Sequence, residues 1–81
     1  MNAVPRFYFN LIDDAACLDD EGADLPDLEA ACAQAHRELR SVAGHQVFAG
    51  SLNMNQHIEI ADHSGEVLAL VRLADALEIL G

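Results

Sequence analysis

The sequence predicts a small α+β domain of two layers, in which a small antiparallel sheet packs against one face of a long helix. Three observations lead to this prediction. An alternating aromatic segment near the N-terminus is typical of a strand, and a later stretch with apolar residues three and four apart is typical of a helix. A glycine-containing turn then joins two apolar segments. The predicted order is β(β)αββα, in which the strand in brackets is short.

The first strand is predicted in the stretch RFYFNLID, residues 6–13. Side chains alternate between the two faces of a strand, so Phe7, Phe9 and Leu11 share one face. A turn follows, and residues 16–19 are predicted to return as a short second strand that completes a hairpin.

The long helix is predicted to begin within EGADLPDLEAACAQAHRELR, residues 21–40. Asp24 is the expected N-cap, and Pro26 suits the first turn, where its missing N–H costs nothing. An apolar stripe should face the sheet; it consists of Leu28, Ala31, Cys32, Ala35, Leu39 and Val42.

Two glycines are candidates for the end of this helix. An end at Gly44 would leave a loop of about a dozen residues, which is long for a compact domain. An end at Gly50 places one glycine inside the helix, at a cost of about 1 kcal/mol. We expect the longer helix, ending at Gly50.

The C-terminal third predicts a hairpin and a short helix. In residues 57–73 the sequence DHSG fits a tight turn with Gly65 in the left-handed conformation. Residues 67–71 are apolar on both faces, which predicts a strand that is central or covered on both sides. The last helix is indicated by apolar residues at helical spacing, namely Leu73, Ala74, Leu77 and Leu80.

Length and composition narrow the class of protein. The 81 residues have room for one domain, residues 1–81, and the hydrophobic fraction of 52% argues against disorder. The net charge is −10, with four arginines and no lysine, which makes nucleic acid and anionic membranes poor partners. A basic protein or a cation remains compatible with this charge.

The cellular location is predicted to be the cytoplasm. The two cysteines, Cys17 and Cys32, make no disulfide framework, and we expect free thiols in a reducing compartment. The apolar run at the N-terminus is too short for a signal sequence, and no segment approaches the length of a membrane span.

Acidic residues cluster before the helix. Eight of the fourteen acids lie between Asp13 and Glu29, with no basic residue among them. A calcium loop of the EF-hand type does not fit, because placing Gly22 at position six puts Cys17 at position one and Leu28 at position twelve.

The acidic cluster has two interpretations. The simpler one is a solvated helix entrance, which the helix dipole favours. The other is a surface for a basic partner, and its candidate residues are Asp19, Asp20, Glu21 and Asp24.

Several apolar residues raise a similar question. Val47, Phe48, Leu52 and Met54 are expected to complete the core if helix and loop fold back, but they form a partner-binding patch if they stay exposed.

A sheet with a helix on one face would also leave Leu68 and Leu70 in water, unless a second subunit or the terminal helix covers them. Phe48 and Leu68 are therefore the apolar candidates for partner binding.

Motifs for catalysis and for cofactors are missing. Cys32 and His36 share a helix face, but two ligands are too few for a metal site. The serines lack a nucleophile-elbow pattern, and no glycine-rich phosphate loop follows a strand. We therefore expect no enzymatic activity, no cofactor and no bound metal, while a small-molecule ligand stays unknown.

Four stretches in this order resemble a family of short bacterial proteins known only as a domain of unknown function. They are the aromatic strand FYFNLID, the loop DDEG, the helix start LPDLEAA and the hairpin IEIADHSGEVL. The resemblance implies a helix that is continuous to Gly50. Gly44 departs from the helix-forming residues that are usual in the family at this position. The resemblance brings no catalytic residues. A second, weaker similarity is to HicB-type antitoxins, which share the architecture.

The predicted function is that of a small non-enzymatic interaction or regulatory domain. Its partner would be a second copy, in a homodimer that buries the second sheet face, or another protein. The alternative is an antitoxin-like acidic inhibitor of a basic protein partner.

Overall fold

The computed structural model describes residues 4–78 and confirms an α+β fold of two layers. Its elements are β1 (Arg6–Ile12), β2 (Ala16–Cys17), β3 (Ala23–Asp24), α1 (Leu28–Ala49), β4 (His57–Ala61), β5 (Val67–Arg72) and α2 (Leu73–Glu78). The five strands form one sheet in the order β2-β1-β4-β5, and β3 also pairs with β1. All four strand pairings are antiparallel.

The core lies between the sheet and the two helices. Register places Phe9 opposite Ile60 and Leu11 opposite Ile58, so that their side chains share the face that α1 covers. The buried cluster consists of Phe7, Phe9, Ala31, Ala35, Leu39, Ala43, Ile58, Ile60, Val71, Leu73 and Ala76. The small alanines of α1 let the helix lie close to the sheet, where its nearest strands are β4 and β5.

Helix α1 begins later than the sequence predicts. The N-cap is Asp27, with an extended φ of −160°, and its carboxylate accepts the N–H of Ala30 at 2.8 Å. The prediction of Asp24 as cap was wrong because Asp24 belongs to β3 and pairs with Arg6. The chain stays extended as far as Leu25, whose N–H donates to the Pro5 carbonyl, so Pro26 precedes the cap.

The longer helix is confirmed. Gly50 ends α1 with a φ of 85°, and its N–H donates to the Val47 carbonyl at 3.0 Å. Ser51 donates in turn to the Gln46 carbonyl at 2.8 Å, so carbonyls of the last turn are satisfied. A left-handed φ of this kind is what glycine adopts without steric cost.

The turn between β4 and β5 is also confirmed. The Asp62 carboxylate accepts the backbone N–H groups of Ser64 and Glu66, at 2.9 and 3.0 Å. Gly65 has a φ of 90° and donates its N–H to the Asp62 carbonyl at 3.0 Å.

Strand β5 is an edge strand, which corrects the prediction of a central or doubly covered strand. Within residues 4–78 it pairs only with β4, and Val67, Leu68 and Leu70 are exposed. The register shifts between Ile60 and Ala61, which introduces an extra residue into β5. An apolar run is therefore no proof of burial on both faces here.

Helix α2 begins at Leu73, as predicted, and joins the helix layer. Leu73 and Ala76 are buried in the core, while Leu80 of the predicted stripe lies outside the described residues. The described part of α2 therefore leaves the second sheet face open, where Leu70 lies opposite Glu59.

Candidate interaction surfaces

Three surfaces contain the candidate residues. The helix surface is the outward side of α1 near its end, formed by Arg40, Ser41, Gly44, His45 and Phe48. The acidic pocket is formed by the acidic loop, which is residues 18–22 between β2 and β3, and by the β4–β5 turn. The sheet surface consists of Leu68 and Leu70 on β5.

Phe48 protrudes from the helix surface. It is 96% exposed, although the sequence predicted that it would complete the core with three neighbours. That prediction was wrong for the whole set, because all four side chains are exposed: Val47, Phe48, Leu52 and Met54.

A polar contact explains why the core ends before Phe48. In the last turns of α1, Gln46 faces inward and accepts the Gln56 side-chain N–H at 2.8 Å. It also accepts the N–H of Asn53 at 3.1 Å. Each helical residue is rotated by about 100° from the one before, so an inward Gln46 turns Phe48 outward. Sequence reasoning missed this pair, because two glutamines ten residues apart form no recognisable motif.

A groove of about 450 Å³ lies beside Phe48 on the helix surface. Gly44 is one of its lining residues, and an added Cβ there would meet no atom within 4 Å. The packing of the described residues therefore does not require a glycine at this position.

The helix surface is locally basic. From Arg37 to the end of α1 the chain has Arg37, Arg40 and His45 but a single acid, Glu38. Glu38 contributes to a different groove, which Phe9 also lines. Burial raises the pKa of Glu38, with a smaller contribution from the charge of Asp19. Arg40, one of the four arginines of a strongly acidic chain, lines the groove together with His45.

Asp19 organises the acidic loop rather than projecting into solvent. Its carboxylate accepts the N–H groups of Phe9, Glu21 and Gly22 at 3.0–3.1 Å, and its own N–H donates to the Asn10 side chain at 2.9 Å. Partial burial acts to raise the pKa of Asp19, but the three donated N–H groups outweigh it and hold that pKa below its usual value. β2 ends at Cys17, two residues earlier than predicted.

The other predicted acids differ in their surroundings. Asp24 pairs with Arg6, whose Nε lies 2.9 Å from the carboxylate, and Arg6 also donates to the Glu21 carbonyl. The side chains of Asp20 and Glu21 are exposed. A role of these four acids in binding a partner stays a prediction.

The acidic pocket brings together residues that are distant in sequence. Its volume is about 400 Å³, and its lining includes Tyr8, Asp19, Asp20, Asp62 and His63. The pairing of Tyr8 with Ala61 places the turn beside the loop. Sequence reasoning missed Tyr8 and Asp62, since only the strand register places them next to Asp19.

The sheet surface lies apart from the helix surface, because Leu70 faces away from the core that α1 covers. The structure therefore does not combine Phe48 and Leu68 into one site. The centre of this sheet face is polar, and His57 approaches Glu59 at 3.9 Å.

Within residues 4–78, no helix has the length and apolarity needed to cross a bilayer. In the same range, no three His, Cys, Asp or Glu side chains are grouped so as to hold a metal ion.

A family model described as a domain of unknown function, DUF6894, matches residues 6–74. The chain belongs to this family. The DUF6894 match begins with β1 and ends within α2, so it includes the helix surface and the acidic pocket. No curated protein and no solved structure matches the chain. The family description names no activity.

Proposed function

We propose that this chain is a non-enzymatic protein-interaction or regulatory domain of the bacterial cytoplasm, and that the helix surface is its contact site. The observation that carries the proposal is Phe48, which is 96% exposed beside the groove over Gly44. An exposed aromatic side chain next to a hollow is typical of protein-binding sites, where aromatic residues and arginines supply most of the binding energy.

The chemistry of Asp19 and Asp62 supports a non-catalytic role for the acidic pocket. A catalytic acid at neutral pH needs a raised pKa in an enclosed cleft. Asp19 and Asp62 line an open depression, and both have lowered pKa values. For Asp62 the main cause is the hydrogen bond from the Ser64 hydroxyl. The unpaired thiols Cys17 and Cys32 support a reducing compartment.

The test compares capture of partner proteins by the wild-type chain and by Phe48→Glu, with Ala33→Glu as the control. Ala33 is also exposed on α1, about four turns before Phe48, so the control adds the same charge to the same helix. We expect Phe48→Glu to lose the partner and Ala33→Glu to retain it. Equal capture by all three chains would contradict the proposal.

A second candidate is the antitoxin-like inhibitor of a basic protein, and the acidic pocket favours it. Three carboxylates, from Asp19, Asp20 and Asp62, lie around Tyr8, whose ring face attracts a cation. The double variant Asp20→Asn and Glu21→Gln neutralises Asp20, which lines the pocket, and its neighbour on the acidic loop. It should then weaken binding strongly at low salt and little at high salt.

The matched control for the inhibitor is the pair Asp14→Asn and Glu29→Gln, which removes the same charge from exposed positions elsewhere. Equal, salt-dependent weakening by both double variants would indicate an effect of net charge and contradict a specific role for the pocket.

A further inference from the structure

We propose that the partner of the helix surface is a second copy of this chain, bound by an antiparallel crossing of the two α1 helices at Gly44. This inference rests on the function proposed above and names the occupant of the same surface. It differs from a dimer through the sheet surface, because Leu68 and Leu70 take no part in it.

The first argument is the position of Gly44. An interior helical glycine lowers helix stability relative to alanine, and here a Cβ would fit without any contact. The monomer therefore gains nothing from the missing side chain. A second helix could use the missing side chain, since two helix axes can come nearer to each other where one residue has no side chain.

The second argument is that the helix surface is complementary to itself. In a dimer with two-fold symmetry, if residue i of one copy contacts residue j of the other, then residue j of the first copy contacts residue i of the second. Arg40 lies four residues before Gly44 and Phe48 four residues after it. An antiparallel crossing at Gly44 thus places Phe48 of each copy beside Arg40 of the other, where guanidinium and ring attract each other.

The groove has the room that this arrangement needs. Its volume of about 450 Å³ lies between Arg40 and Phe48 on the same helix. Each copy therefore offers one protruding ring and one shallow, open depression, and the crossing places each ring over the depression of the other copy. Residues spaced four apart form the ridges that interdigitate in the commonest class of helix packing.

The third argument is electrostatic. Two chains of charge −10 repel each other, and the acids concentrate between Asp13 and Glu29. Gly44 lies sixteen residues after Leu28, about 24 Å along the axis, and an antiparallel crossing sends the two acidic ends in opposite directions. That separation exceeds the Debye length of about 10 Å at 0.1 M salt. A parallel crossing would bring the acidic ends together.

The contact is expected to be small. The two aromatic rings alone contribute roughly 300–500 Å² of buried surface, so the whole contact is expected to stay under the roughly 1,200 Å² below which weak, transient complexes fall. The dimer should therefore dissociate on dilution.

The experiment measures association by analytical ultracentrifugation from about 1 µM to about 200 µM, a range suited to transient dimers. The decisive variant is Gly44→Leu, because it should stabilise the monomer but weaken the dimer. The new side chain improves helix propensity, so the midpoint of thermal unfolding should rise or stay constant. The same side chain fills the groove, so the dimer dissociation constant should increase by at least about tenfold.

A second measurement keeps the test independent of side-chain bulk. In a Cys17→Ser, Cys32→Ser background, Gly44→Cys should form a symmetric disulfide between two copies at concentrations where the dimer is populated. A disulfide forms only when two Cα atoms approach within about 7 Å. The control Ala33→Cys, on the same helix, should cross-link much more slowly.

Two results would overturn the inference. The first is a wild-type chain that stays monomeric over the whole concentration range. If Phe48-dependent capture of a different protein persists in that case, only the second copy is excluded as the partner, and the function proposed above stands.

The second result is a dimer whose dissociation constant is unchanged by Gly44→Leu. The interface would then lie elsewhere, and Leu70→Lys would show whether it is the sheet surface.

Discussion

Asp19 holds the acidic loop against β1, and the stability of the fold should depend on it. Replacing Asp19 with alanine leaves the backbone N–H of the buried Phe9 without its acceptor. We expect a loss of about 1–3 kcal/mol in the free energy of unfolding. Urea denaturation at neutral pH measures this loss. Asp20→Ala, at an exposed neighbouring position, should stay within about 0.5 kcal/mol of wild type.

The same carboxylate predicts a pH dependence. The pKa of Asp19 is lowered in the fold from its ordinary value of 3.8. Its stabilisation is therefore fully present above pH 3.8 and is lost as the pH falls through the lower, folded pKa. The stability difference between wild type and Asp19→Ala should be constant from neutral pH to about pH 5 and shrink in stronger acid. A difference that grows on acidification would contradict this account.

Gly22 is a second residue whose environment sets its identity. Its φ is 72°, and a Cβ there would lie 2.9 Å from the side chains of Arg6 and Tyr8 and 3.0 Å from the Phe7 carbonyl. Gly22→Ala should destabilise the fold by more than about 1 kcal/mol, because both the backbone conformation and the space oppose it. Thermal unfolding would show this, and an unchanged midpoint would exclude the close packing around Gly22.

At the scale of the element, Asp24 and Asp27 have different roles at the start of α1, although the sequence makes both possible caps. Asp27→Ala removes the N-cap and should cost about 1 kcal/mol. Asp24→Ala removes an exposed ion pair with Arg6, which is usually worth less than about 1 kcal/mol. Denaturant unfolding of both variants tests the assignment, and a larger loss for Asp24→Ala would contradict it.

Substitution of Gly44 by alanine should change the stability of the fold in the opposite direction to the same substitution at Gly22. Because a Cβ at Gly44 meets nothing, Gly44→Ala should stabilise the monomer by up to about 1 kcal/mol through helix propensity. The measurement is the free energy of unfolding at a concentration low enough to exclude dimers. A destabilised Gly44→Ala monomer would mean that α1 has an intramolecular reason for this glycine.

The elements show what sequence alone can predict. The end of α1 at Gly50 and the turn at Gly65 follow from local rules on glycine and helix length. The start of α1 does not, because Asp24 and Asp27 are equally good caps and the pairing of β3 with β1 decides between them. A two-residue strand leaves no periodic pattern to recognise.

At the scale of the whole molecule, the candidate surfaces were the least predictable part. The exposure of Phe48 depends on Gln46 facing Gln56 across ten residues. The acidic pocket depends on the register of β1 against β4. Both are tertiary effects, so apolar or acidic composition could identify candidates but could not assign them to core or surface. Phe48, which was expected in the core, and Leu68 are both exposed, and they belong to different surfaces.

The central claim is that the chain associates through the helix surface, and light scattering over a dilution series tests it most directly. We expect the wild-type mass to rise with concentration from 8.7 kDa toward twice that value, and to do so at high salt as well as at low salt, because salt screens the repulsion between acidic chains. Under the same conditions Phe48→Glu should stay at 8.7 kDa. Equal masses for wild type and Phe48→Glu at every concentration would contradict the claim.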